Sequence, residues 1–164
     1  MKKSIIALYG RANEGKSETL KKVCKLLIES FPNSKHEPAD INYSDDIFVI
    51  IDLMFDSRII KIGIESQGDP GSRMIKDDTI RQLSDKGCDI IICATRLKGE
   101  TTWKVDEIAD YNDYYTLWLS TFWSPQTPTS PLNKELLNNL AAENIIEIMK
   151  ALILNQLSPL PNDF

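Results

Sequence analysis

Eight residues near the start of the chain, 10–17, constrain its fold more than any other segment. They read GRANEGKS and fit the pattern G-x-x-x-x-G-K-[ST] of a phosphate-binding P-loop. An apolar strand is predicted at residues 4–9, and a helix with apolar residues at helical spacing follows the loop. This order of strand, loop and helix is the context that the motif requires. The chain is therefore expected to fold around a phosphate-binding turn at the end of a buried strand.

The residue types of this loop explain how it would hold phosphate. Glycines let backbone N–H groups turn inward around phosphate oxygens, and the helix N-terminus adds its dipole. Lys16 is expected to reach the β- and γ-phosphates, and Ser17 is expected to coordinate Mg²⁺. The residues predicted to bind the cofactor here are Gly10, Asn13, Glu14, Gly15, Lys16, Ser17 and Glu18.

Length, charge and cysteine content limit the class of protein. At 164 residues the chain is expected to form one domain, residues 1–155, followed by a loose tail at 156–164. No apolar run is long enough to span a bilayer, so no membrane partner is expected. The net charge of −5, without a Lys/Arg stripe, argues against nucleic acid as the main partner. The three cysteines lack zinc spacing and predict reduced core residues of a cytoplasmic protein.

Downstream of the loop, predicted strands alternate with predicted helices. Apolar runs at 47–54 and 59–65 are separated by so short a link that they predict an antiparallel hairpin, because a parallel pair needs a long crossover. The alternation predicts an α/β fold with three layers, in which a mostly parallel sheet carries one antiparallel edge strand. Further strands are predicted at 89–95 and 115–122, and helices at 73–86, at 101–110 and from Pro131, with Ser130 as N-cap. When the predicted strands are numbered along the chain, starting with 4–9 as strand 1, their expected order in the sheet is 2-3-1-4-5. Strand 2, residues 47–54, then lies at one edge.

Two carboxylates follow apolar residues and compete for the place beside the phosphates. In such sheets ligands bind beyond the carboxyl ends of the parallel strands. Glu65 ends the hairpin strand that is expected to run parallel to the loop strand, whereas Asp52 lies on the antiparallel strand. Glu65 is therefore predicted to hold Mg²⁺ together with Ser17, directly or through water.

Three more polar side chains are candidates for contacts with the γ-phosphate or with an acceptor. Arg96 follows the strand at 89–95, and Arg73 follows a Gly- and Pro-containing loop at 67–71. Guanidinium groups pair with phosphate through two hydrogen bonds. The alternative is that they are surface arginines that pair with the neighbouring carboxylates Asp77 or Glu100. Gln67 is the candidate for orienting an attacking water, so the predicted catalytic residues are Lys16, Gln67 and Arg96.

The loop and the hairpin together resemble a known class within the P-loop NTPase superfamily. GRANEGKS resembles the G-x-x-N-x-G-K-S loop of Era-like GTPases, and the segment Glu65-Ser66-Gln67-Gly68 takes the place of their D-x-x-G switch. The resemblance implies that the Gly68 amide senses the γ-phosphate and that the carboxylate at 65 holds Mg²⁺. Position 65 is Glu where the family has Asp, a departure that concerns direct metal ligation. The guanine-reading N-K-x-D is absent, so the resemblance does not extend to GTP.

The sequence thus predicts a protein that binds a nucleoside triphosphate with Mg²⁺ and hydrolyses it, with ATP favoured over GTP. Two alternatives stay open: a kinase for a small-molecule acceptor, and a sensor that recruits a protein partner without turnover. Four aromatic residues are weighed as base-stacking side chains or as ordinary core and surface residues: Trp103, Tyr111, Tyr114 and Tyr115.

Overall fold

Isoleucine-rich segments form the central strands of this protein, whose computed structural model describes residues 1–125 and 132–157. β-Branched side chains favour strands because they pack well on a pleated surface. The strands are β1 (Ser4–Tyr9), β2 (Lys35–Glu37), β3 (Phe48–Phe55), β4 (Arg58–Glu65), β5 (Ile90–Thr95) and β6 (Tyr115–Leu119). The helices are α1 (Lys16–Ser30), α2 (Arg73–Lys76), α3 (Thr79–Asp85), α4 (Glu100–Asn112) and α5 (Lys134–Ile153).

The strands of the described residues form one six-stranded mixed sheet in the order β2-β3-β4-β5-β1-β6. β4, β5, β1 and β6 run parallel, and β3 is antiparallel to both of its neighbours. The expected α/β class, with a mostly parallel sheet and an antiparallel pair at one end, is therefore confirmed. The hairpin closes through Asp56 and Ser57, which both have positive φ, the conformation that matches the twist of a two-residue hairpin turn.

The predicted strand order 2-3-1-4-5 is wrong at the centre of the sheet. β5, rather than β1, pairs with the hairpin strand β4, with Ile62 opposite Ile90 and Glu65 opposite Cys93. The rule for right-handed crossovers does not decide which of two wholly apolar strands takes the inner place. As a consequence, β5 separates the end of β4 at Glu65 from the loop strand β1.

The prediction that residues 47–54 form an edge is also wrong. β2 lies in the segment read as a loop, and it pairs with β3 so that Lys35 is opposite Asp52. A short strand of Lys, His and Glu protects a sheet edge, because polar and charged side chains discourage pairing with another chain.

Two apolar clusters cover the two faces of the sheet. α1 and α5 pack on one face, where Leu20, Val23 and Leu27 of α1 are buried as their helical spacing predicts. α3 and α4 cover the other face through residues such as Leu83 and Ile108. Cys24, Cys88 and Cys93 are buried and free.

The helical predictions differ from the structure at two places. The helix expected at 73–86 is divided into α2 and α3, because Asp78 between them takes a left-handed conformation with φ of 52°. α5 begins after Asn133, whose side chain accepts a hydrogen bond from the Leu136 amide. The start predicted at Ser130 and Pro131, and most of the tail predicted at 156–164, lie outside the described residues. None of the helices in the described ranges combines the length and apolar character needed to cross a membrane.

Candidate functional site

Residues 10–15 form the turn that joins β1 to α1, at the carboxyl edge of the parallel strands. Gly15 has a φ of +80°, and a Cβ there would lie 2.5 Å from Asn138 Oδ1. Asn13 also has a positive φ. The turn therefore needs glycine at position 15 for its backbone conformation, whereas Asn138 Oδ1 is the end of a side chain that can move aside.

Lys16 is the first residue of α1, and it folds back over this turn. Its Nζ donates to the carbonyl oxygens of Gly10, at 3.1 Å, and of Arg11, at 2.5 Å. The residue is only 7 % exposed. Burial, and secondly the positive charge of Arg96, lower the pKa of the Lys16 ammonium below its usual range. A buried ammonium held only by neutral carbonyls is well suited to receive an anion.

The Glu14 carboxylate lies inside the same turn. Its Oε2 accepts a hydrogen bond from the Arg11 amide at 2.7 Å, and a Cβ at Gly10 would lie 2.6 Å from that oxygen. Backbone amides of such a turn are the groups that hold phosphate oxygens. Glu14 therefore places its own anion on one of the donors that a phosphate would use.

A cavity of about 400 Å³ opens above the turn and brings most of the predicted phosphate-binding residues together. Those that line it are Asn13, Glu14, Gly15, Lys16, Ser17, Glu18 and Gly68. Five other predicted residues do not line it: Gly10, Glu65, Gln67, Arg73 and Arg96. Asp52 lines a second cavity with Lys61, whose Nζ lies 3.6 Å from Asp52 Oδ1.

Asp46 is a carboxylate of the main cavity that the sequence reasoning missed. Its Oδ1 accepts hydrogen bonds from Ser17 Oγ at 2.6 Å and from Ser66 Oγ at 2.9 Å. Ser17 Oγ also lies 2.8 Å from the Ser66 carbonyl oxygen. Carboxylate, hydroxyl and carbonyl oxygens thus meet at the start of α1.

The strand directions explain why Asp46 lies there. It comes two residues before β3, and β3 is antiparallel to β4. The amino end of an antiparallel strand lies at the same edge as the carboxyl ends of the parallel strands. The predicted hairpin was the sequence signal that could have located Asp46. A strand direction that carries Asp52 away from the site brings the residues before β3 to the site.

Glu65 is fully buried and faces a guanidinium instead of the cavity. Arg73 Nε donates to Glu65 Oε2 at 3.0 Å, and Arg73 Nη2 donates to Oε1 at 2.8 Å. The Gln67 amide donates to Oε1 as well. This hydrogen bonding to Glu65 raises the pKa of Arg73. Direct contact between Glu65 and a metal stays a prediction, and it requires that Arg73 release the carboxylate.

The segment after β4 also carries Gly68, Asp69 and the Gln67 side chain. A Cβ at Gly68 would lie 2.2 Å from the Ala94 carbonyl oxygen, so only glycine fits against the end of β5. Asp69 Oδ1 pairs with Arg96 Nη2 at 2.8 Å. Gln67 Oε1 accepts a hydrogen bond from the Arg73 amide. Both candidate arginines therefore pair with carboxylates, as the alternative interpretation of the sequence held, although their partners are Glu65 and Asp69.

One wall of the cavity carries aromatic side chains. It consists of the segment after β6, with Phe122 and Trp123, and of the first turns of α5, with Leu137 and Asn138. The four aromatic residues weighed from the sequence as base-stacking side chains do not line the cavity. Tyr114, for example, is buried and its hydroxyl donates to the Cys88 carbonyl oxygen.

Comparison of the chain with models of protein families, with curated proteins and with solved structures finds no match. The geometry of the cavity is therefore the basis for assigning a function.

Proposed function

We propose that this protein binds a nucleoside triphosphate together with Mg²⁺ and that its α/β domain is a P-loop NTPase fold. One observation carries the proposal. Residues 12–17 of the loop line a cavity at the carboxyl edge of the parallel strands, and Asp46 lines the same cavity with its side chain on Ser17 Oγ. A volume of about 400 Å³ is in the range of small-molecule sites.

Lys16 supplies the positive charge of the proposed site. To contact phosphate, its Nζ exchanges the Gly10 and Arg11 carbonyl oxygens for phosphate oxygens. The exchange is favourable, because it replaces neutral acceptors by charged ones, which form hydrogen bonds roughly twice as strong. The loop amides then hold the remaining phosphate oxygens.

Ser17 and Asp46 are the residues that would hold Mg²⁺. Magnesium is usually bound through one or two carboxylates and the phosphates of its nucleotide, with waters completing the shell. Ser17 Oγ already lies within hydrogen-bonding distance of both Asp46 Oδ1 and the Ser66 carbonyl oxygen, so the set of oxygen ligands fits a hard cation. When bound, the ion supplies charge neutralisation at the phosphates.

Binding is supported more strongly than hydrolysis. Arg73 and Arg96, which would stabilise charge during phosphoryl transfer, are paired with Glu65 and Asp69. The Gln67 side chain is engaged with the Arg73 amide instead of a water in the cavity. This engagement favours slow turnover, with the nucleotide sensor as the second candidate function.

Calorimetry with Mg-ATP tests the proposal. The wild-type chain is expected to bind, and Lys16→Ala is expected to lose at least about a hundredfold in affinity, the scale of one positioned charged donor. Lys22→Ala is the matched control, because Lys22 lies on α1 outside the cavity and pairs with the exposed Glu135. Equal affinity for Lys16→Ala and wild type, with both proteins folded, would refute the proposal. Consumption of the triphosphate, measured with and without added small-molecule acceptors, then separates the three functions: a hydrolase needs no acceptor, a kinase needs one, and a sensor consumes none.

A further inference from the structure

We infer that Phe122 and Trp123 form a stacking platform for the base of the nucleotide and that this platform favours purines over pyrimidines. The inference rests on the proposed function, which concerns only the phosphates and the metal. It assigns the aromatic wall of the same cavity, which lies beside the phosphate loop, to the nucleoside part of the ligand.

The sheet places this wall beside the phosphate loop. β6 pairs in parallel with β1, with Ser4 opposite Tyr115 and Leu8 opposite Leu119. Residues that follow Leu119 therefore leave the sheet at the same edge as the residues that follow Tyr9. Phe122 and Trp123 emerge there as direct neighbours of the loop at 10–17.

Two contacts fix the distance between the wall and the loop. Thr121 Oγ1 donates to the Glu14 carbonyl oxygen at 2.6 Å, and Thr121 is 9 % exposed. On the other side, Asn138 Oδ1 of α5 lies against Gly15, 2.5 Å from the position that a Cβ would take. A wall that is already in place adds to affinity because little conformational freedom is lost when the ligand binds.

The two aromatic rings are unusually accessible for residues inside a cavity. Phe122 is 44 % exposed and Trp123 is 49 % exposed, although both line the cavity that contains Lys16. Every nucleobase has a flat π-face, and stacking on aromatic side chains tolerates different bases. A purine covers more of such a surface than a pyrimidine, which gives the expected preference.

Among the described residues, the aromatic side of the cavity carries no carboxylate that could accept hydrogen bonds from guanine. The carboxylates that line the cavity in the described residues are Glu14, Glu18, Asp46 and Asp69. They belong to the phosphate loop, to α1 and to the segments beside β3 and β4. On the aromatic side the described lining residues carry a hydroxyl at Ser124, an ammonium at Lys134 and an amide at Asn138. The platform is therefore expected to accept adenine and guanine alike.

The test compares a nucleotide with a ligand that has the phosphates alone. Calorimetry measures the affinity of Mg-ATP, Mg-CTP and Mg-tripolyphosphate for the wild type and for Trp123→Ala. The control is Trp103→Ala, because Trp103 lies on α4, is 67 % exposed and does not line the cavity. The wild type is expected to bind ATP more tightly than CTP, and CTP more tightly than tripolyphosphate. Trp123→Ala is expected to lower ATP affinity about 5- to 150-fold, the range of one base–aromatic stack, without changing tripolyphosphate affinity.

The following results would show that Phe122 and Trp123 do not form a platform for the base. If Trp123→Ala leaves ATP affinity unchanged, or lowers ATP and tripolyphosphate affinities equally, the tryptophan does not act on the base, yet the phosphate site stands. If the wild type binds none of the three ligands, the platform fails together with the proposed function. Fluorescence of a Trp103→Phe, Trp118→Phe variant gives a second readout, since ATP is expected to quench Trp123 and tripolyphosphate is not.

Discussion

Arg73→Ala is expected to destabilise the fold more than Glu65→Ala, although the two residues form a single ion pair. Glu65 is fully buried, whereas the Arg73 side chain is 28 % exposed. Removing Arg73 deletes the contacts of Nε and Nη2 with the carboxylate and leaves the Gln67 amide, at 2.9 Å, as the described donor to it. A buried charge that loses its partner costs about 3–5 kcal/mol in free energy of unfolding.

The reverse substitution is expected to cost less. In Glu65→Ala the guanidinium keeps access to water, and its Nη1 lies 3.4 Å from the Asp46 carbonyl oxygen. The expected loss is about 1–3 kcal/mol, the scale of one unsatisfied polar group. The double variant Glu65→Met, Arg73→Leu is expected to lie close to the wild type, because apolar pairs of similar volume often replace buried ion pairs without loss.

Urea unfolding followed by circular dichroism gives these free energies. The coupling energy between the two positions is obtained from the further variant Glu65→Ala, Arg73→Ala, which combines the two single substitutions. The reasoning fails if Arg73→Ala costs no more than Glu65→Ala, or if the double variant Glu65→Met, Arg73→Leu costs as much as the two single variants combined. Either result would mean that the burial of Glu65 does not determine the energetics of the pair.

Four further outcomes follow from the cavity. Asp46→Ala is expected to weaken the Mg²⁺ dependence of nucleotide binding, measured by metal titration, whereas Asp52→Ala is expected to leave it unchanged. If only Asp52→Ala weakened it, the argument from the strand ends would be contradicted. Glu14→Gln is expected to raise affinity for tripolyphosphate, because a neutral side chain competes less for the loop amide. The control is Glu147→Gln, whose carboxylate pairs with Lys150 on α5 and does not line the cavity; a loss of affinity in Glu14→Gln would refute this. The affinities of ATP and GTP, measured in competition, are expected to differ by less than about tenfold, which corresponds to 1.4 kcal/mol. A larger preference would reveal an unrecognised contact with the base. Residues 66–73 are expected to be better protected from hydrogen exchange with a non-hydrolysable triphosphate than with a diphosphate, since Gly68 lines the cavity. Equal protection with both ligands would exclude a conformational switch of this segment.

Local patterns were enough to predict the loop and the hairpin. The glycine motif between an apolar strand and an amphipathic helix is confirmed as the turn from β1 to α1. The short link at 55–58 correctly predicted an antiparallel pair, because no crossover fits in that length. Both features depend only on residues close together in sequence.

Features that depend on distant pairing were not predictable in the same way. β1 and β5 are both apolar and almost wholly buried, so nothing in either strand indicates which one lies next to β4. Asp46 lies in a polar segment without periodicity, and its place depends on the direction of the strand that follows. Trp123 follows the end of β6 at Leu119, and its place in the cavity depends on β6 lying beside β1.

The central claim is that the turn at 10–17 holds the phosphates of a nucleotide, with Mg²⁺ on Ser17 and Asp46. A crystal structure of the chain with Mg²⁺ and a non-hydrolysable ATP analogue tests this most directly. The account predicts phosphate oxygens on the loop amides and on Lys16 Nζ, the Glu14 carboxylate displaced from the Arg11 amide, and the metal beside Ser17 Oγ and Asp46. Density for the analogue away from this loop, or phosphates in the loop with the metal on Glu65 and not on Asp46, would contradict it.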